Sequence, residues 1–234
     1  MEILRKLIDE IENHEIKDSF VGAFDTVIES KYLGISSTLK PSKRKPFKNI
    51  KIMGNFTKEV SKLALSENEL EASIGIAAIN SALNRENLKF SEINAYDILP
   101  NFEKVGIIGR FPFIDKLKKQ VKKVYVFELN PLNGEFHSDE LKKYSNEIDI
   151  IALTATSLIN HTFEKLMENK GKAKVLMLGP STPLSKVLFD YGIDIISGTL
   201  IEDKNKFIGG IKEGKGFKHL EGRKSVTIFK NDSE

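Results

Sequence analysis

The sequence predicts an α/β fold: a Rossmann-like, doubly wound, mostly parallel sheet over residues 95–234, preceded by a small α+β unit over residues 1–94. Beyond residue 95, short runs rich in Val and Ile alternate with segments of helical periodicity, the signature of strand–helix–strand units that build a parallel sheet. Before that point the order is helix, two strands and two helices, with no such alternation. A third observation, the small polar loops that follow the predicted strands, places a ligand at one edge of the sheet.

Each element has its own signal. Ile3, Leu4, Leu7, Ile8 and Ile11 recur at helical spacing among charges and predict an amphipathic first helix. Residues 18–30 and 32–38 are rich in Val, Ile, Phe and Thr around a break at 29–31, which reads as a β-hairpin. Thr57 is placed to cap a helix reaching residue 66, and Leu70, Ile74, Ala77, Ala78 and Leu83 mark another. In the second part, strands are expected at 104–108, 124–127, 148–153, 173–178, 193–197 and 226–229. Pro112 suits the first turn of a helix running to residue 121. A helix over 157–168 carries Ile159, Phe163, Leu166 and Met167 on its apolar stripe, and another spans 183–189. Residues 96–101 are too few and too apolar for a free tether, so the two parts should share an interface.

Composition narrows the function. At 40% hydrophobic content, 234 residues suffice for an ordinary core. Lys and Arg number 36 against 33 Asp and Glu, so the formal charge of +3 gives no general attraction to nucleic acid or anionic membrane. The chain has no cysteine, which excludes disulfides, thiolate metal sites and cysteine nucleophiles together. His14, His137, His161 and His219 have no compact metal-ligand spacing. The opening segment is unlike a signal peptide and no run is long and apolar enough to span a bilayer, so a cytoplasmic address is expected.

Ligands of open α/β sheets bind beyond the carboxyl ends of the strands, which makes the residues after each strand the informative ones. They are Gly109 and Arg110; Glu128; Thr154, Thr156, Ser157 and Asn160; Gly179, Ser181 and Thr182; and Ser197, Gly198 and Thr199. A glycine turn after the first strand admits a ligand to the backbone, and an acid about 20 positions on accepts hydrogen bonds from ribose hydroxyls. Gly109 and Glu128 have that relation, but the glycines that admit a pyrophosphate are missing. An adenosyl compound or a flat heterocycle is thereby favoured over a dinucleotide. The hydroxyls and amide of the later loops suit a polar heterocycle or an anion. They serve equally as plain helix caps.

Other features point away from chemistry. Lys40, Lys43, Arg44, Lys45 and Lys48 form a basic run, but it lacks interleaved aromatics other than Phe47 and reads as a solvated loop. The glycine-rich stretch 204–218 reads as surface turns, with a mobile flap as the less favoured alternative. No Ser-His-Asp spacing or close carboxylate pair is recognisable, so neither a catalytic residue nor a metal ligand is assigned.

These loops also carry a resemblance. The stretches VGIIGRFP at 105–112, VFELNP at 126–131, DIIALTATSLIN at 149–160 with Thr162, LGPSTPL at 178–184 and, upstream, SIGIAAINSA at 73–82 resemble the family named for putative heavy-metal chelation. That family joins an enolase-N-terminal-like unit to a Rossmann-like domain. The resemblance implies a site between the two parts, with Asn80 facing the Rossmann loops, and action on a pterin-, flavin- or siderophore-like chelator. A cysteine-free chain with scattered histidines is a poor trap for heavy metal, so the label points to metabolism of a chelating small molecule.

The leading function is therefore an enzyme that condenses, hydrolyses or otherwise modifies such a molecule. Next come a non-catalytic carrier for it or its metal complex, and an S-adenosylmethionine-dependent methyltransferase-like enzyme resting on Glu128. The partner in each is a small molecule, neither membrane nor nucleic acid, and self-association is left open.

Overall fold

Beyond the helix Glu2–Glu10, three strands, β1 (Asp18–Val21), β2 (Asp25–Glu29) and β3 (Leu33–Ser37), form an antiparallel meander in a computed structural model that describes residues 1–41 and 50–233. Lys43, Arg44, Lys45 and Lys48 of the basic run lie outside the described residues. The expected two-stranded hairpin gains a strand because Gly22 N donates to Asp25 O at 2.9 Å, closing a turn inside the run 18–30. The helix Glu69–Ala82 packs Ile74, Ala77 and Ala78 against Ile16 and Ile28 on one face of the meander. Asn68 caps it, accepting from Leu70 N and Glu71 N. Gly34 permits the approach, since a Cβ there would lie 2.2 Å from Ala77 O. Thr57 opens the helix Thr57–Val60 but does not cap it; its Oγ1 donates to Glu12 O at 2.8 Å.

The main sheet has seven strands: β4 (Lys104–Ile108), β5 (Lys123–Glu128), β6 (Phe136–His137), β7 (Ile150–Thr154), β8 (Lys174–Leu178), β9 (Ile195–Ile201) and β10 (Arg223–Phe229). Their order is β10-β9-β8-β7-β4-β5-β6, and all are parallel except β10, which runs antiparallel to β9. From β4 the chain winds outward to β5 and β6, then crosses to the other side of β4 for β7, β8 and β9. Connections therefore diverge between β4 and β7, the switch point where open α/β sheets leave a crevice.

Alternation along the strands builds two cores. Val105, Ile107, Ile150, Ala152, Leu176 and Leu178 pack on one face, and Ile108, Ile151, Leu153, Val175 and Met177 on the other. The second face is covered by Ile3, Leu4 and Leu7 of the first helix, by Ile76 and Ile79, and by Leu158 and Phe163. One buried cluster thus draws side chains from both parts of the chain.

Several boundaries differ from expectation for physical reasons. The helix expected over 157–168 is broken into Thr156–Ile159 and Phe163–Glu168, because His161 adopts φ 60 and its Nε2 lies 2.9 Å from Ala64 O. The helix expected from Pro112 is a single turn, Ile114–Leu117, and that expected over 183–189 is Val187–Asp190. The stretch after residue 203, expected as surface turns, opens instead with the helix Lys204–Lys212, capped by Asp203 accepting from Lys206 N. Phe207 and Ile211 from this helix pack on Val27 and Ile35, the other face of the meander. Gly209 and Gly210, poor helix formers, hid it from periodicity. Among the described residues no helix is long and apolar enough to cross a membrane.

Candidate functional site

At the carboxyl edge of the sheet, the loops after β4, β5, β7 and β8 surround a cavity of about 1000 Å³. The meander closes it from the small unit through Phe24, Asp25 and Ser37, and β10 reaches it with Arg223 and Ser225. Because β10 is antiparallel, its first residues arrive at the same edge as the last residues of the parallel strands.

The first loop shows why glycine stands at 109. Its φ is +107, and a Cβ would lie 2.8 Å from Thr154 Cγ2. Arg110 is committed to its own loop: its guanidinium pairs with Glu135 at 3.0 Å and donates to Asn130 O at 2.7 Å. That pairing holds the Glu135 carboxyl below the usual carboxylate range. Phe111 and Phe113 stack at 5.1 Å, and Tyr96 lies 5.2 Å from Phe113, giving the cavity an aromatic wall. Glu128 ends β5 half-buried, and burial raises its carboxyl while Arg110 pulls it down. Among the described residues its one hydrogen-bond donor is Leu129 N at 3.3 Å.

The third loop is hydrogen-bonded within itself. Thr154 Oγ1 and Thr156 Oγ1 lie 2.9 Å apart, Ser157 Oγ donates to Thr154 O at 2.8 Å, and Asn160 Oδ1 accepts from Thr162 Oγ1 at 2.8 Å. In the fourth, Gly179 at φ +120 has nothing within 4 Å of where a Cβ would sit, so its glycine answers to backbone conformation. Ser181 is fully buried, its Oγ accepting from Ser37 N at 2.8 Å.

Asp25 was not foreseen as a site residue. It is only 2% exposed, lines the cavity, and leaves Oδ2 buried without a hydrogen-bond partner. Burial pushes its carboxyl up to about 6, with the Arg223 guanidinium pulling the other way. Arg223 is lowered by its own burial, stacks 4.1 Å from the Phe217 ring centroid, and donates from Nε to Phe217 O at 3.2 Å. Among the described residues no three His, Asp or Glu side chains gather as a metal site.

Comparisons with known proteins agree with this architecture. A family model described as putative heavy-metal chelation, DUF364, matches residues 94–230, and a second with the same description, DUF4213, matches residues 4–83. The chain belongs to the DUF364 family. A DUF364 protein of unknown function from Desulfitobacterium hafniense DCB-2 superposes with a TM-score of 0.85 at 25% identity, covering 97% of this chain and 98% of that one. Another, from Pyrococcus horikoshii, gives 0.83 at 21% identity with the same coverage and supports the fold. None of the curated proteins matches the chain.

In this DUF364 member, Gly109, Arg110, Glu128, Thr154, Thr156, Ser157, Asn160, Gly179 and Ser181 line the one cavity, whereas Asn80 and Thr182 do not. Asn80 works behind the wall: its Nδ2 donates to Ile35 O at 2.8 Å and Ser181 O at 3.3 Å, tying the meander to the fourth loop. Thr182 is buried with Oγ1 unpartnered. The sequence signal for Asp25 is a carboxylate opening the buried run Asp25-Thr26-Val27-Ile28; Arg223, beside Lys224, gave none.

Proposed function

We propose that this DUF364 protein is an enzyme that modifies a small heterocyclic, chelator-like molecule held between the strand ends and the meander. The observation that carries this is the cavity, which sits at the switch point and is roofed by a second unit, as ligand sites of open α/β sheets are. Tyr96, Phe111 and Phe113 supply a face for a flat ring, and the half-buried Glu128 carboxyl supplies an acceptor for a ring N–H or a ribose hydroxyl. Asp25 favours an enzyme over a carrier, because a carboxyl whose pKa lies near neutrality can exchange a proton with a bound substrate. The donor set does not fit a protein-held heavy metal, lacking cysteine and any described metal cluster, so a metal would arrive on the chelator as cargo.

Native mass spectrometry of the purified chain, followed by thermal-shift screening of pterins, flavins, adenosyl compounds and siderophore fragments, tests the reading. A stabilising compound whose mass changes on incubation supports an enzyme; one that binds unchanged supports a carrier. No stabilising compound in any class contradicts the proposal.

A further inference from the structure

Asp25 and Arg223 face the same cavity from different units, and among the described residues neither has a full set of hydrogen-bond partners. The Asp25 Oδ2 is buried with no hydrogen-bond partner among the described residues. Arg223 is fixed by its stacking on Phe217 and by the Nε bond to Phe217 O, and among the described residues its terminal nitrogens make no hydrogen bond. The two do not close on each other as an ion pair, although each feels the other's charge. A buried carboxylate without a donor costs several kcal/mol, a cost that a ligand bringing the donor removes. The hydroxyl-bearing residues Ser37, Thr199 and Ser225 line the same cavity.

We propose that Asp25 and Arg223 recognise an α-amino carboxylate group on the ligand, Asp25 accepting from the ammonium and Arg223 donating to the carboxylate. This rests on the reading of the cavity as a small-molecule site and names part of what that molecule carries. The pairing is selective in both directions: an amine alone leaves the guanidinium unmet, and a carboxylate alone meets the Asp25 charge. The neighbouring guanidinium also disfavours a bare metal cation on Asp25. Arg223 and Glu128 belong to strands five steps apart in the sheet, roughly 24 Å at about 4.8 Å per strand. The amino-acid group and the ring edge that meets Glu128 are therefore opposite ends of one elongated ligand.

The experiment is calorimetric and thermal-shift titration of the full chain with L-histidine and L-leucine. Each is compared with its amine, histamine or isopentylamine, and with its deaminated acid, imidazole-4-propionate or 4-methylpentanoate. The amino acids should bind and the four analogues should not. Asp25→Asn and Arg223→Gln should each weaken amino-acid binding about tenfold or more. Asp25→Glu, which keeps the charge but displaces it, replaces Asp25→Asn if that variant does not fold. Failure of both amino acids to bind, equal binding of the amines, or wild-type affinity in both the Asp25 and Arg223 variants overturns the proposal. If heterocycles bind through Glu128 while amino acids do not, this inference alone fails. If amino acids bind through Asp25 and Arg223 while no heterocycle does, the proposed function fails instead.

Discussion

Asp25→Asn should make the chain's stability less dependent on pH, because the wild-type side chain holds a buried, unpartnered carboxyl. Its pKa is about 6 in the folded chain against 3.8 for an unperturbed aspartate, a difference worth about 3 kcal/mol at about 1.36 kcal/mol per pH unit. The folded value is the raised one, so the favourable contribution is present in full below 3.8 and is lost as pH rises through 6. At neutral pH the wild type carries a desolvated charge that asparagine does not. Urea unfolding of both proteins, followed by circular dichroism, should show the stability difference moving in favour of Asn by about 2–3 kcal/mol between about pH 4 and about pH 7.5. A difference that stays constant with pH, or moves toward the wild type, would refute the assignment of a raised carboxyl to Asp25.

Glu128→Gln should lower affinity for the heterocycle found by screening by about 1–3 kcal/mol while the unfolding midpoint stays near wild type, as calorimetry and thermal melts will show. Gly109→Val should damage the fold as well as the cavity, since φ is +107 and Thr154 Cγ2 would lie 2.8 Å from the new Cβ; a loss of about 1–3 kcal/mol in chemical unfolding is expected. Asn160→Ala removes the acceptor for Thr162 N and Oγ1, and should raise amide exchange through 154–162 at a cost of about 1–2 kcal/mol. Phe207→Ala empties the contact between the helix Lys204–Lys212 and the meander, costing about 3–5 kcal/mol and loosening the roof of the cavity in hydrogen exchange.

The main sheet was legible because its strands are buried on both faces, and runs such as Lys104–Ile108 and Lys174–Leu178 read as short apolar segments bounded by turns. The strand-end positions followed from topology, and the cavity draws on all five of the stretches. Periodicity missed what long-range contacts decide. The break at His161 depends on Ala64 O, nearly a hundred residues away, and the glycine-bearing helix Lys204–Lys212 is held by packing against Val27 and Ile35. Asn80 shows the complementary error, a polar residue whose partners lie in the wall and not in the cavity. Asp25 and Arg223 stand about 200 positions apart in the chain, and the packing of the meander against the helix Lys204–Lys212 and β9 brings them to one space.

The central claim is that the space between the strand ends and the meander is where the ligand sits. Thr156 lines that space, and Thr156→Trp should fill part of it from the third loop. The decisive measurement is the thermal-shift profile of wild type and Thr156→Trp against the same panel of heterocycles. The account predicts that compounds raising the wild-type midpoint have no effect on a folded Thr156→Trp protein. Equal stabilisation of both proteins by the same compound would place the ligand elsewhere and contradict it.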